Sequence, residues 1–121
     1  MPDMQMGAVE ARFADIIWSH QPVTAAQLAK YADAELGWKK TTAYTVLKRL
    51  CEKGIFQNEK GMVTALVTRE QFYAMQSERF VEETFAGSLP AFIAAFAQRK
   101  NISREELAQI RAMLDRYEQE G

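Results

Sequence analysis

Residues 38–54 read WKKTTAYTVLKRLCEKG, and their reading decides the fold. Ala43, Val46, Leu47, Leu50 and Cys51 recur at the three- and four-residue spacing that aligns side chains on one helical face, and that face must be buried. At about 100° per residue the opposite side collects Thr41, Thr45, Lys48, Arg49 and Glu52, flanked by Thr42 and Tyr44. Lys39 and Lys40 precede the first turn, where positive charge opposes the helix macrodipole, so helix stability does not account for them. A helix held by an apolar back, with Thr and Arg outward and Lys at its entrance, has the chemistry of a DNA major-groove reader. Phosphates attract the cations, a guanidinium pairs with guanine in bidentate fashion, and Thr offers hydroxyl or methyl to base edges. The plain alternative is a polar face that is merely solvated, and the neighbouring segments decide between the two.

Upstream, Val9, Phe13, Ile16 and Ile17 form the stripe of a first helix over about residues 8–19, with Trp18 beside it. His20-Gln21-Pro22 ends it. Thr24 and Gln27 make a T-x-x-Q capping box for a second helix that closes at Gly37. A third helix only a few residues later gives a helix-turn-helix. After Gly54 the period changes: residues 55–58 read as a short strand, Glu59-Lys60-Gly61 as a tight turn and residues 62–67 as a β-branched return strand. A hairpin directly after such a helix is the wing of a winged helix, with Lys60 at the tip where backbone phosphate would be met. Pro22-Val23 supplies a minimal third strand.

Thr68 and Gln71 repeat the T-x-x-Q signal and open a long apolar-striped helix to Gly87; Ser88 caps the next, and Ser103 with Glu106 caps the last. In that last helix Leu107, Ile110, Leu114 and Tyr117 follow the spacing of a short coiled-coil seam. These helices are too apolar to stand alone. Folding back on the winged helix is one outlet; homodimerisation through Phe85, Phe92, Phe96, Leu107, Ile110, Leu114 and Tyr117 is the preferred one, since twofold symmetry lets two reading helices address a palindrome. The expected organisation is mainly α with a small β-hairpin: a disordered tail over 1–7, a winged helix-turn-helix over 8–68 and a three-helix dimerisation region over 69–121.

The net charge of the 121 residues is −1, which argues against an indiscriminately basic nucleic-acid binder. Its distribution argues otherwise. Residues 39–60 hold six Lys and Arg against Glu52 and Glu59, whereas residues 69–121 hold seven basic and nine acidic residues. A local cationic patch on a neutral body suits a specific, salt-sensitive contact. The lone Cys51 has no disulfide partner, and no apolar run approaches the roughly 20 residues of a membrane span. The expectation is a cytoplasmic protein without membrane insertion.

The residues Ile17-Trp18, Val23-Thr24-Ala25, the W-x3-T-x2-T-x3-R-L-x2-K-G run (Trp38, Thr42, Thr45, Arg49, Leu50, Lys53, Gly54), F-x-G-S-L (Phe85, Gly87, Ser88, Leu89) and S-x-E-E-L (Ser103, Glu105, Glu106, Leu107) resemble the penicillinase-repressor family (BlaI/MecI/CopY). The likeness runs over about residues 8–117. It implies a winged helix, a helical dimerisation region, and a dimer that blocks transcription by binding a short inverted repeat in double-stranded DNA. On matching positions Thr42, Thr45 and Arg49 become recognition contacts; Lys39, Lys40, Lys48 and Lys60 join them from charge and helical phase. The resemblance also implies a membrane sensor-protease as a partner.

Three departures stand out. The family wing carries Gly-Arg and a following aromatic, where this chain has Gly61-Met62 and Leu66. The Asn-Phe pair cleaved in β-lactam-responsive members corresponds here to Ala95-Phe96, and the Cys-x-Cys pairs of copper-responsive members have no counterpart. Neither cofactor nor metal is expected.

An enzyme is not expected either: the single His20 sits in a helix-end turn, Cys51 lacks a basic partner, and there is no Gly-rich phosphate loop or paired-His spacing. The competing reading is a winged helix used as a protein–protein adaptor, which has no need of the cationic face.

Overall fold

The computed structural model describes residues 5–121. Six helices and three short strands follow in the order α1 (Ala8–His20), β1 (Val23–Thr24), α2 (Ala25–Leu36), α3 (Lys40–Glu52), β2 (Phe56–Glu59), β3 (Met62–Ala65), α4 (Arg69–Phe85), α5 (Leu89–Arg99) and α6 (Arg104–Glu120). The chain is mainly α, with a winged helix followed by C-terminal helices. It clusters into two compact units that divide inside α4, between Ser77 and Glu78.

In the first unit, local chemistry fixes the ends of the elements. Both halves of the Thr24/Gln27 capping box are made, each at 3.1 Å, and α2 ends on Gly37 at φ 69°, a left-handed geometry that favours glycine. The Thr68/Gln71 box likewise closes at 3.0 Å in both directions. Trp38 precedes α3 instead of opening it, and packs its ring 5.2 Å from Phe13.

The sheet is antiparallel in the order β1-β3-β2, with Val23 opposite Val63 and Phe56 opposite Ala65. Lys60 and Gly61 form its two-residue turn at φ 53° and 87°, the pair of positive values a primed hairpin turn requires. Asn58 Oδ1 accepts from the Gly61 amide at 2.9 Å and steadies that turn.

The core follows the expected stripes. Phe13, Ile17, Leu28, Leu50, Ile55, Phe56 and Val63 are fully buried, and Phe72 joins them from the first turn of α4. Small residues matter as much: Ala29, Ala32 and Ala43 are buried where α2 meets α3 and let the two helices approach closely.

Two details depart from the pattern reading. Val9 is exposed, since the stripe of α1 begins with Phe13. The tail expected over 1–7 lies partly outside the described residues, and its described end is not loose: Met6 packs against the core and the Gln5 carbonyl accepts from Lys53.

The second unit has a different character. Ser88 caps α5 by accepting from the Ala91 amide at 3.1 Å, and Ser103 caps α6 by accepting from Glu106 at 3.1 Å. Phe80, Phe85 and Phe92 meet edge to face, with centroids 5.7 to 6.0 Å apart, and Phe96 extends the cluster. Yet no residue of α5 or α6 is buried, and Leu89, Ile93, Phe96, Ile110, Met113, Leu114 and Tyr117 are exposed.

Candidate nucleic-acid interface

α3 is sharply two-sided. Ala43, Val46, Leu47 and Leu50 are buried, while Thr41, Thr42, Thr45, Lys48, Arg49 and Glu52 are exposed on the other side. The buried row fixes the helix against α2 and β2, so the exposed row is presented on a rigid element. Thr45 Oγ1 donates to the Thr41 carbonyl at 2.9 Å, which holds its rotamer and leaves the oxygen lone pairs to an outside donor. Lys48 and Arg49 form no ion pair among the described residues.

The entrance to α3 is cationic as well. Lys39 is the N-cap in extended conformation and makes no side-chain cap bond; Lys40 stands over the Tyr44 ring with its Nζ 5.6 Å from the centroid. Between α2 and α3 lies a groove of about 440 Å³ lined by Ala26, Ala29, Lys30, Asp33, Trp38, Lys39 and Lys40. Lys30 was not among the expected contacts. It occupies the outward side of α2, and only the fold brings it beside Lys39 and Lys40.

Lys53 behaves differently from its neighbours. Its ammonium lies 2.9 Å from Glu10 Oε2 on α1 and also donates to the Gln5 carbonyl, with both side chains of the pair about three-quarters covered. It therefore contributes to the formal charge of the 39–60 run but not to the exposed patch. Lys60 is exposed at the wing tip, held close to the N-terminus of α2 because the Ala25 amide donates to the Gly61 carbonyl at 2.8 Å. Met62 beside it and Leu66 at the base of the hairpin are exposed too, so the wing offers one cation and apolar surface.

The seven apolar residues assigned to assembly separate into two groups. Phe85 and Phe92 are half-buried within the aromatic cluster of their own unit, whereas Phe96, Leu107, Ile110, Leu114 and Tyr117 remain exposed, Tyr117 at 76%. Leu89, Ile93 and Met113 extend this exposed apolar set and had no place in the seam read from the last helix alone. Ala95 and Phe96, at the position of the cleaved pair, are exposed within α5.

His20 stacks on Tyr31 at 4.0 Å, and burial followed by the Glu52 charge pushes the Cys51 thiol up, away from the reactive thiolate. Among the described residues no His, Cys, Asp and Glu side chains are grouped to hold a metal ion, and no single helix is long and apolar enough to cross a membrane.

Sequence comparison joins this geometry. The family model described as Penicillinase repressor matches residues 6–116. Over 117 residues the chain is 23% identical to a Penicillinase repressor of Bacillus licheniformis, covering 93% of this chain and 91% of that protein. The match takes in the capped helix pair, the two-sided α3, the hairpin and the apolar C-terminal helices together, and on that extent the chain belongs to the penicillinase-repressor family of transcriptional repressors.

Proposed function

We propose that the chain is a homodimeric repressor that lays α3 of each copy in the major groove at one half of an inverted-repeat operator. The observation that carries this reading is the division of α3, with four apolar side chains buried and Thr42, Thr45, Lys48 and Arg49 all exposed. Arg49 reads a base edge, Thr42 and Thr45 lie against bases or the sugar edge, and Lys39, Lys40 and Lys48 hold phosphates on either side. Lys60 adds a single backbone contact from the wing.

Assembly falls to residues 69–121, and the winged helix over 8–68 does the reading. A unit in which no residue of α5 or α6 is fully buried, and whose own packing is a half-buried cluster of Phe rings, gains little from its own core. A second copy covers the exposed apolar row symmetrically and brings two reading helices to one duplex.

Fluorescence anisotropy with a duplex from the promoter of the operon encoding the protein tests the reading. Binding should depend on salt and on the palindrome, and Arg49→Ala should weaken it by about 1–3 kcal/mol and blur base preference. Equal affinity of wild type and variant for that promoter and for shuffled DNA would refute sequence reading.

A further inference from the structure

The groove between α2 and α3 carries more charge than the proposed contacts use. Of the three cations lining it, Lys39 and Lys40 stand at the entrance of the reading helix, but Lys30 belongs to α2, which those contacts leave out. Three ammonium groups gathered about one groove repel one another, and against the one carboxylate lining it, Asp33, they leave a formal excess of two positive charges. Asp33 follows Lys30 by three residues on the same helix, a spacing at which opposite charges can meet, yet no ion pair joins them among the described residues. Lys39 makes no side-chain cap bond, and Lys40 leans on the Tyr44 ring. The fold has gathered these cations without neutralising them.

The lining suits one kind of anion. Ala26 and Ala29 present only methyl groups and keep about 440 Å³ open where longer side chains would fill it. Trp38 adds an aromatic surface, and its packing 5.2 Å from Phe13 holds that ring in place. A compact inorganic anion would use the ammonium groups but not the methyl and ring surface. A sugar-phosphate backbone uses both: its oxygens accept charge-assisted bonds from the lysines, and deoxyribose lies against the apolar lining. A duplex that takes α3 into its major groove carries a backbone past the entrance of that helix, so the groove continues the reading surface through Lys39 and Lys40.

We propose that Lys30 is a further DNA-binding residue, and that the α2–α3 groove seats the backbone at the edge of each half-site with a phosphate between Lys30 and the Lys39-Lys40 pair. This rests on the homodimeric repressor reading. Such a contact positions the duplex and, unlike that of Arg49, carries no base preference. Selection of full-length wild type on a random duplex library supplies the inverted repeat used as probe. Labelled duplexes then carry that repeat, the repeat with one base pair altered, and the repeat with one phosphate per half-site, at each position in turn, replaced by a neutral methylphosphonate. Lys30→Gln should weaken binding by on the order of tenfold, alike on the intact and the altered repeat, and flatten the slope of log affinity against log salt by about 1.8 for the two copies. Lys30→Arg, which keeps the charge, should stay within about threefold of wild type. Ala26→Leu keeps every charge but fills the groove, and should reproduce the loss. At one methylphosphonate position wild type should lose on the order of tenfold and Lys30→Gln at least about threefold less, because that contact is already gone.

Wild-type affinity and salt slope in Lys30→Gln would overturn the assignment. So would wild-type affinity in Ala26→Leu, or a loss in Lys30→Gln that no methylphosphonate position shares, since either would leave Lys30 acting only through its distant charge. Each of these, with a wild type that does select an inverted repeat, overturns this inference alone. A wild type that selects no inverted repeat would overturn the repressor reading, and this inference with it.

Discussion

Lys48→Ala and Lys53→Ala each remove one positive charge from the 39–60 segment, yet only the first should act on DNA binding. Lys48 is exposed on α3 with no ion pair among the described residues, whereas Lys53 is paired with Glu10 at 2.9 Å. Each phosphate contact lowers the slope of log affinity against log salt by about 0.9, and a dimer carries every substitution twice. Loss of a genuine contact therefore flattens the slope by about 1.8, so that the affinity lost between 50 and 200 mM salt becomes about twelvefold smaller. Lys53→Ala should leave the slope where it is. Its effect belongs to stability instead: Glu10 is left largely covered without its partner, at about 1 kcal/mol, which lowers Tm by several degrees in a unit of this size. Anisotropy titrations at four salt concentrations and a calorimetric melt of each variant give both quantities. If Lys53→Ala flattened the slope as much as Lys48→Ala, the α1 carboxylate would not be neutralising that lysine. If Lys48→Ala left the slope unchanged, the outer side of α3 would not be what meets the backbone.

Phe72→Ala should destabilise the first unit by about 3–5 kcal/mol, because a fully buried ring packed against Trp18 is removed; urea unfolding measures it, and a loss under 1 kcal/mol would contradict the place of Phe72 in the core. Cys51 should react with iodoacetamide at neutral pH several-fold more slowly than a free thiol, since burial and then Glu52 raise its pKa and deplete the thiolate; unfolding in urea should abolish the difference. Leu107→Glu combined with Leu114→Glu should convert a sedimenting dimer into monomers or aggregates, because both side chains lie in the exposed apolar row of α6; wild-type monomer at micromolar concentration would refute homodimerisation.

The helix signals legible in the sequence are those in which local chemistry and burial agree. Thr24/Gln27 and Thr68/Gln71 both close as reciprocal caps, Gly37 takes the left-handed geometry, and the α3 stripe is buried where the period places it. Val23 and Thr24 pair with β3, close to the minimal strand read at Pro22-Val23. What could not be read depends on contacts far apart in the chain. Lys53 carries the same formal charge as Lys48, and only its encounter with Glu10, forty-three residues earlier, removes it from the exposed patch. Lys30 is an ordinary outward lysine until the turn at Gly37 folds α2 beside the entrance of α3. Arg69 stands in the first turn of α4, where its sign is unfavourable to the helix dipole. Its partners on α1, fifty-four residues away, supply the reason that periodicity lacked. Phe85 and Phe92 carry the same lesson for the C-terminal helices, since spacing along one helix does not distinguish a ring packed within its own unit from one left outward.

Net charge is a poor guide to this molecule because its charges differ in arrangement, not in number. On α6 Arg104, Arg111 and Arg116 alternate with Glu105, Glu106, Asp115, Glu118 and Glu120, so their fields largely offset one another within the screening distance of about 8 Å at physiological salt and leave a small acidic excess. On α1 and at the start of α4, Glu10 and Asp15 are committed to Lys53 and Arg69. Along α3 and its entrance, Lys39, Lys40, Lys48 and Arg49 share their segment with Glu52 alone, Lys30 offsets Asp33 in the groove between α2 and α3, and all seven are exposed. The sum over the chain is near zero, but the potential a duplex meets on approaching α3 is the local one. A neutral body suppresses binding at arbitrary positions on DNA, where only phosphate attraction operates. On the proposed reading it leaves the short range, at which Thr42, Thr45 and Arg49 would touch bases, to supply the difference between one sequence and another. A repressor that must find few sites among many gains selectivity from that division, and the acids paired with Lys53 and Arg69 contribute to it as directly as the cations left free.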